Sequence, residues 1–193
     1  MRAPADRERL DAFLRALGAS GRSPIRLYLV GGAVMVDLGL RQATLDVDYV
    51  ARGEASALRE LERALPKLKD ELDINVEPAS PADFMPIPDG VLDQSAYVRS
   101  YGQLAVYHYH YPSLTLAKIA RGAERDLVDV ELLVRHGIVS WPEVEQMWER
   151  IRGIETGWLR QTPLEVDRRL QVMRNRLRDA GLIPRPASQD SDG

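Results

Sequence analysis

An apolar strand, a glycine pair and a second strand with aspartates two apart constrain this chain more than anything else in it. Tyr28-Leu-Val-Gly31-Gly32-Ala-Val is followed by Arg41-Gln-Ala-Thr44-Leu-Asp46-Val-Asp48-Tyr49-Val. Strand side chains alternate faces, so Asp46 and Asp48 share one face while Leu45, Val47 and Tyr49 take the other. Two carboxylates held side by side repel each other unless a cation lies between them. Hard divalent ions take oxygen ligands, commonly one or two carboxylates together with substrate phosphates. Glycines at a helix start let backbone N–H groups approach phosphate oxygens. The stretch reads either as both halves of a metal–phosphate site or as a plain turn followed by an edge strand with a solvated polar face.

The spacer from Gly32 to Asp46 is 13 residues (33 to 45). Glycine pair, spacer and D-x-D together resemble the nucleotidyltransferase fold of the DNA polymerase beta superfamily. The nearest likeness is to bacterial nucleotidyltransferase-like proteins that include AbiEii-type toxins. A second segment supports it: Leu116-Ala-Lys118-Ile-Ala-Arg121, then Arg125-Asp126-Leu-Val-Asp129-Val-Glu-Leu-Leu, is similar to a downstream segment of those proteins. The likeness covers roughly residues 25 to 137. It implies an α/β (α+β) fold: a mixed-sheet head over 1–112, a helical lobe over 113–181, and a cleft between them. It implies transfer of an NMP from an NTP to a hydroxyl, dependent on Mg²⁺ (or Mn²⁺). The acceptor would be an RNA such as a tRNA, a protein or a small molecule, in a toxin–antitoxin setting with a cognate partner. The alternative is a protein that keeps the fold as a nucleotide- or partner-binding regulator.

The resemblance also assigns residues. Asp46 and Asp48 would hold the metal, with a third carboxylate from the next strand. Asp73 is the first choice for it and Glu77 the competitor. Gly31 and Gly32 would cradle the triphosphate. Arg41 and Thr44 would either shape the nucleotide pocket or stabilise a turn. Lys118 would either contact triphosphate or be solvated. Arg125, Asp126 and Asp129 read as a structural ion-pair set at a helix start.

Periodicity supplies the rest. Leu10, Phe13, Leu14 and Leu17 predict a helix over 6–17. Strands are expected over 26–30, 44–51, 72–77 and 104–111, and short helical turns over 32–39. A helix over 54–71 should be kinked or divided by Pro66. Prolines 78, 81, 86 and 88 mark a long loop. Ser140-Trp-Pro-Glu143 and Thr162-Pro-Leu-Glu165 are capping boxes with proline at the first helical position. Residues 182–193 read as a disordered tail. His108 and His110, with Tyr107, Tyr109 and Tyr111, read as a polar strand face and its packing. The arginines from 160 to 178 read as a solvated helix face, or as the phosphate-contacting surface if the substrate is RNA.

The chain has no cysteine, which excludes disulfides, thiolate metal sites and cysteine nucleophiles. With no apolar run near 18 residues and no apolar leader, no membrane span is expected and the cytoplasm is the default compartment. A net charge of −3 excludes a generally basic nucleic-acid binder but leaves local basic patches open.

Overall fold

Helix α1 (Arg7–Ser20) forms where its apolar positions fall, with Asp6 accepting the N–H of Arg9 at its start. The structure, a computed structural model, describes residues 2–185. After α1 the chain forms β2 (Ile25–Leu29), α2 (Gly31–Asp37) and β4 (Asp46–Gly53). Two-residue strands β1 (Ala5–Asp6) and β3 (Ala43–Thr44) pair with each other beside them. Next come α3 (Ala55–Glu71), β5 (Asn75–Pro78), β6 (Ala96–Tyr101) and β7 (Leu104–His108). Four helices follow: α4 (Tyr111–Arg121), α5 (Glu124–Arg135), α6 (Trp141–Ile151) and α7 (Pro163–Asp179).

Five strands make one mixed sheet in the order β5-β4-β2-β7-β6. β2 pairs antiparallel with β4 and parallel with β7; β4 pairs parallel with β5. This register puts Ile25, Leu27, Leu29, Val47, Tyr49, Leu104 and Val106 on one face, all buried in a core shared with α1 and α3. The opposite face carries Asp46, Asp48, Val50 and Arg52 from β4, and Arg26 and Tyr28 from β2. A second core gathers Leu116, Ile119, Val130, Leu133, Val144, Met147 and Leu170 from the helical C-terminal part. Together these make the α+β architecture with a mixed sheet that the sequence suggested.

Four local expectations are corrected. Pro66 neither divides nor ends α3, which runs unbroken through it. Its ring is exposed while Leu61 and Leu68 anchor the helix on both sides. The third strand begins at Asn75 rather than Leu72, because Leu72 and Asp73 close the end of α3. Asp73 takes φ 49°, a left-handed conformation that aspartate tolerates better than most residues. Strand β6 had no counterpart in the sequence reading; it is a hairpin partner of β7, joined through Gly102 at φ 55°. At the chain's end, Leu182 and Ile183 pack on the second core rather than leaving it, and the rest of the expected tail, 186–193, lies outside the described residues.

His108 is also repositioned. It lies on the helix-covered side of β7, opposite to Tyr107, and is buried. Its Nε2 pairs with Asp37 Oδ2 at 2.7 Å and its Nδ1 with the Tyr111 hydroxyl at 2.8 Å. Arg99 donates to both Asp37 oxygens, at 3.0 and 2.7 Å. Burial works against the Asp37 charge, yet the hydrogen bonds from His108 and Arg99 hold its pKa down at about 2. The network fastens the end of α2 to β6 and β7. His110 is past the strand, at the N-cap of α4, bonded to Ser113 at 2.9 Å. Among the described residues, no helix is long and apolar enough to cross a membrane.

Candidate functional site

β2 ends at Leu29, and α2 starts two residues later with Gly31 at φ 57°. β4 returns beside this junction, so Asp48 lies directly against it: the Val30 N–H donates to the Asp48 carbonyl at 3.0 Å. A Cβ on Gly31 would collide with Asp48 Oδ2, and one on Gly32 with Thr44 Oγ1. The glycine pair is thus required by close approach of the second strand, not only by the turn.

Asp46 and Asp48 sit one above the other on the open sheet face. In β5, Asn75 stands opposite Asp46 and Glu77 opposite Asp48. Asn75 Nδ2 donates to Asp46 Oδ1 and, at 2.9 Å, to Glu77 Oε1. Burial pushes Asp48 up to about 6, the negative charge of Asp46 adds to the shift, and Arg121 and Lys118 offset part of it. A half-buried carboxylate crowded by like charge is an environment that a cation relieves.

Asp73 does not join this group. Its carboxylate accepts the Ala3 N–H at 3.3 Å and faces Arg9 at 4.0 Å, in the turn before β5. The carboxylate that the register brings beside Asp48 is Glu77. Asn75 bridges Asp46 and Glu77, and among the described residues no three His, Cys, Asp or Glu side chains form a ready metal-binding group. The donor set suits an ion held by Asp46 and Asp48 with substrate oxygens completing its shell, the usual manner for Mg²⁺.

Across from Asp48 lies α4. Lys118 is almost fully buried, with Nζ 2.6 Å from Asp129 Oδ2 and 3.4 Å from Asp126 Oδ1. Arg41 Nη2 reaches both Asp129 oxygens at 2.5 Å, and Arg121 grips Asp126. Burial opposes the Asp126 charge, but the hydrogen bond from Arg121 and the nearby Lys118 charge keep its pKa below the ordinary value. Arg41 therefore ties the segment before β4 to α5, while Thr44 is buried against Gly32. Arg125 stands apart, reaching the Ala43 carbonyl at 3.4 Å.

Gly31, Asp48, Lys118 and Arg121 line one cavity, closed on the other side by Ser80, Pro81 and Phe84. The cavity is small, about 60 Å³, and opens to solvent. The guanidiniums of Arg121 and Arg160 lie 5.8 and 5.3 Å from the Phe84 ring.

Residues 8–157 match the family described as nucleotidyltransferase of unknown function (DUF6036). The chain belongs to that family. No curated protein and no solved structure matches it. In this family member the D-x-D strand, the glycine pair and the Lys118 helix converge on one cavity. Arg121 and Phe84 also line it, and Asn75 stands beside Asp46; sequence reasoning gave none of them a role. No spacing announces Asn75, because its place follows from where β5 begins. Phe84 lies in a segment that reads only as a proline-rich loop.

Proposed function

We propose that the chain is a Mg²⁺-dependent nucleotidyltransferase that moves an NMP from an NTP to an acceptor hydroxyl. The observation that carries this reading is the Asp48 carboxylate, crowded by Asp46 and seated against Gly31, facing Lys118 and Arg121 across a small cavity. Asp46 and Asp48 would hold the ion; when bound, it neutralises phosphate oxygens and lowers the pKa of an attacking hydroxyl. Lys118 and Arg121 supply positive charge for the phosphates from α4, held in place by Asp126 and Asp129. Phe84 offers its ring to the base at the cavity mouth. The acceptor oxygen bonds to the α-phosphorus, the bond to the β-phosphate oxygen breaks, pyrophosphate leaves, and the hydroxyl proton passes to solvent. A toxin–antitoxin setting with a cognate partner is supported by the AbiEii-like order of motifs alone.

A second reading, a regulator that binds nucleotide without transfer, is favoured by Asn75 standing opposite Asp46 where another carboxylate would complete a three-acid site. One experiment separates the two. The protein is given each α-labelled NTP with Mg²⁺ and either total RNA or a protein extract, and label transfer and pyrophosphate are measured. Transfer that vanishes in Asp48→Asn, with the fold retained, supports the enzyme. Metal-dependent NTP binding with no label moved to any fraction overturns it in favour of the regulator.

A further inference from the structure

The sheet face that carries Asp48 continues beyond it. Along β4 the same face carries Val50 and then Arg52, and Arg52 stands in register with Arg26 of β2. Two arginines directly opposite each other across a strand pair repel, so the pairing weakens the sheet. No ion pair offsets it. Both side chains are exposed, Arg52 Nη1 donates only to its neighbour's carbonyl, Ala51 O at 2.9 Å, and among the described residues neither arginine forms an ion pair. A pair of like charges without a direct ion-pair partner, in a groove whose other wall carries Asp89 and Asp93, marks a place for an anion.

The surroundings give that anion a shape. Arg26 and Arg52 stand on the floor of a groove of about 540 Å³, whose far wall is the segment from Ile87 to Asp93. Ser80 lines both this groove and the cavity at Asp48, so the two adjoin. From Asp48 to Arg52 is four strand residues, or about 13 Å. That distance exceeds a single nucleotide and suits the end of a strand. Beside the arginines, Tyr28 stacks on Tyr107 at 5.1 Å, and Tyr97 meets Tyr107 edge-on at 5.5 Å. Tyr97, the outermost ring of this column, is 59% exposed. An exposed ring on the same sheet face as the arginines is one element of sequence-tolerant single-strand binding.

The arginines of α7, a rival phosphate surface on sequence grounds, are largely committed elsewhere. Arg169 donates to Ala120 O, Arg174 pairs with Glu145 at 2.6 Å, and Arg176 pairs with Glu124 and Glu131.

We propose that the groove is the acceptor site and that it takes the end of a single-stranded polynucleotide. Backbone phosphates lie on Arg26 and Arg52, and the terminal hydroxyl lies at Asp48. This rests on the transferase reading for its last step only; the binding itself needs neither NTP nor metal. Asp89 and Asp93, exposed on the opposite wall, press the phosphates toward the arginines and weaken the binding they orient.

The test uses the full chain in EDTA, without NTP, and a fluorescein-labelled RNA of about a dozen nucleotides, with single-stranded DNA of the same sequence and a nucleoside monophosphate as the other arms. Each titration is followed by anisotropy, or by competition for the monophosphate. The strands are expected to bind more tightly than the monophosphate. Arg26→Gln/Arg52→Gln, which relieves the repulsion at two exposed sites, should melt at or above wild type and bind the strands at least about tenfold more weakly. Its salt dependence should be shallower by about 1.4, the share of two phosphate contacts on a single strand. Asp89→Asn/Asp93→Asn should bind more tightly. Undiminished strand binding by the folded arginine variant, or no preference for strands over the monophosphate, overturns the proposal. Strand binding lost with the arginines while no NTP is ever turned over would refute the transferase reading and leave the groove standing.

Discussion

Oδ2 of Asp48 occupies the space into which a Cβ on Gly31 would project. The Asp46/Asp48 strand and the glycine turn are therefore one packing unit, and a change in either is felt by the other. Gly31→Ala should cost more than about 2 kcal/mol, combining left-handed strain with the displacement of a carboxylate. Gly39→Ala is the control. Gly39 also has positive φ, 73°, but open space around it, and should cost about 1 kcal/mol. Urea denaturation of the two variants checks the difference.

Asp48 should make the metal-free protein less stable as pH rises. Its folded pKa of about 6 lies above the 3.8 of a free aspartate, so the folded state holds the proton more tightly. The penalty is absent below about pH 4 and complete above about pH 6. It amounts to at most about 3 kcal/mol, reduced by the solvent that reaches the group. Asp48→Asn should remove this decline and melt higher than wild type at pH 7. Mg²⁺ should raise the wild-type melting temperature and leave the variant's unchanged. Thermal melts from pH 4 to 7, with and without Mg²⁺, decide both points.

Asp73 and Glu77 should behave differently. Asp73→Asn alters an exposed turn near Arg9 and should leave Mg²⁺ affinity at the wild-type level. Glu77→Gln removes the acid in register with Asp48, and should weaken Mg²⁺ binding by about 10- to 100-fold, the usual effect of disturbing groups that orient metal ligands. Isothermal titration with Mg²⁺ and NTP reads the contrast. Equal loss in both variants would return Asp73 to the site.

Asp129 is shared by Lys118 and Arg41 and is itself 2% exposed. Replacing it with asparagine leaves two cations short of their partner, and should cost about 3 to 5 kcal/mol. Converting Lys118 to methionine in the same chain should recover part of that loss, because the stranded buried charge goes with it. A double-mutant cycle in denaturant gives the coupling.

Elements whose signal is local were legible in the sequence. The apolar stripe of α1, the capping boxes at Ser140 and Thr162, and the Asp46/Asp48 alternation each depend on a few neighbouring residues. What was hidden depends on pairing. Asp73 and Asn75 alternate as strand residues should, but α3 continues to Glu71 and its closing turn takes Leu72 and Asp73 first. Tyr97 to Tyr101 becomes a strand because β7 is there to receive it. His108 looks like the partner of His110 at a spacing of two. Only tertiary contact reveals that it turns inward to Asp37, 71 residues away in sequence. The family's D-x-D was readable as a motif; its third neighbour was not, because where β5 starts decides whether Asp73 or Glu77 stands beside Asp48.

Helix α2 gives Val34 and Val36 to one core and Met35 to the other. A seven-residue helix that serves both leaves no peptide bond near residue 112 at which the chain divides cleanly. A fragment stopping there would bare Met35 to water and invite aggregation, and the complementary fragment would lack a side chain from its own interior. The smallest portable piece, for domain grafting or recombination between proteins, is the whole span from α1 through α7.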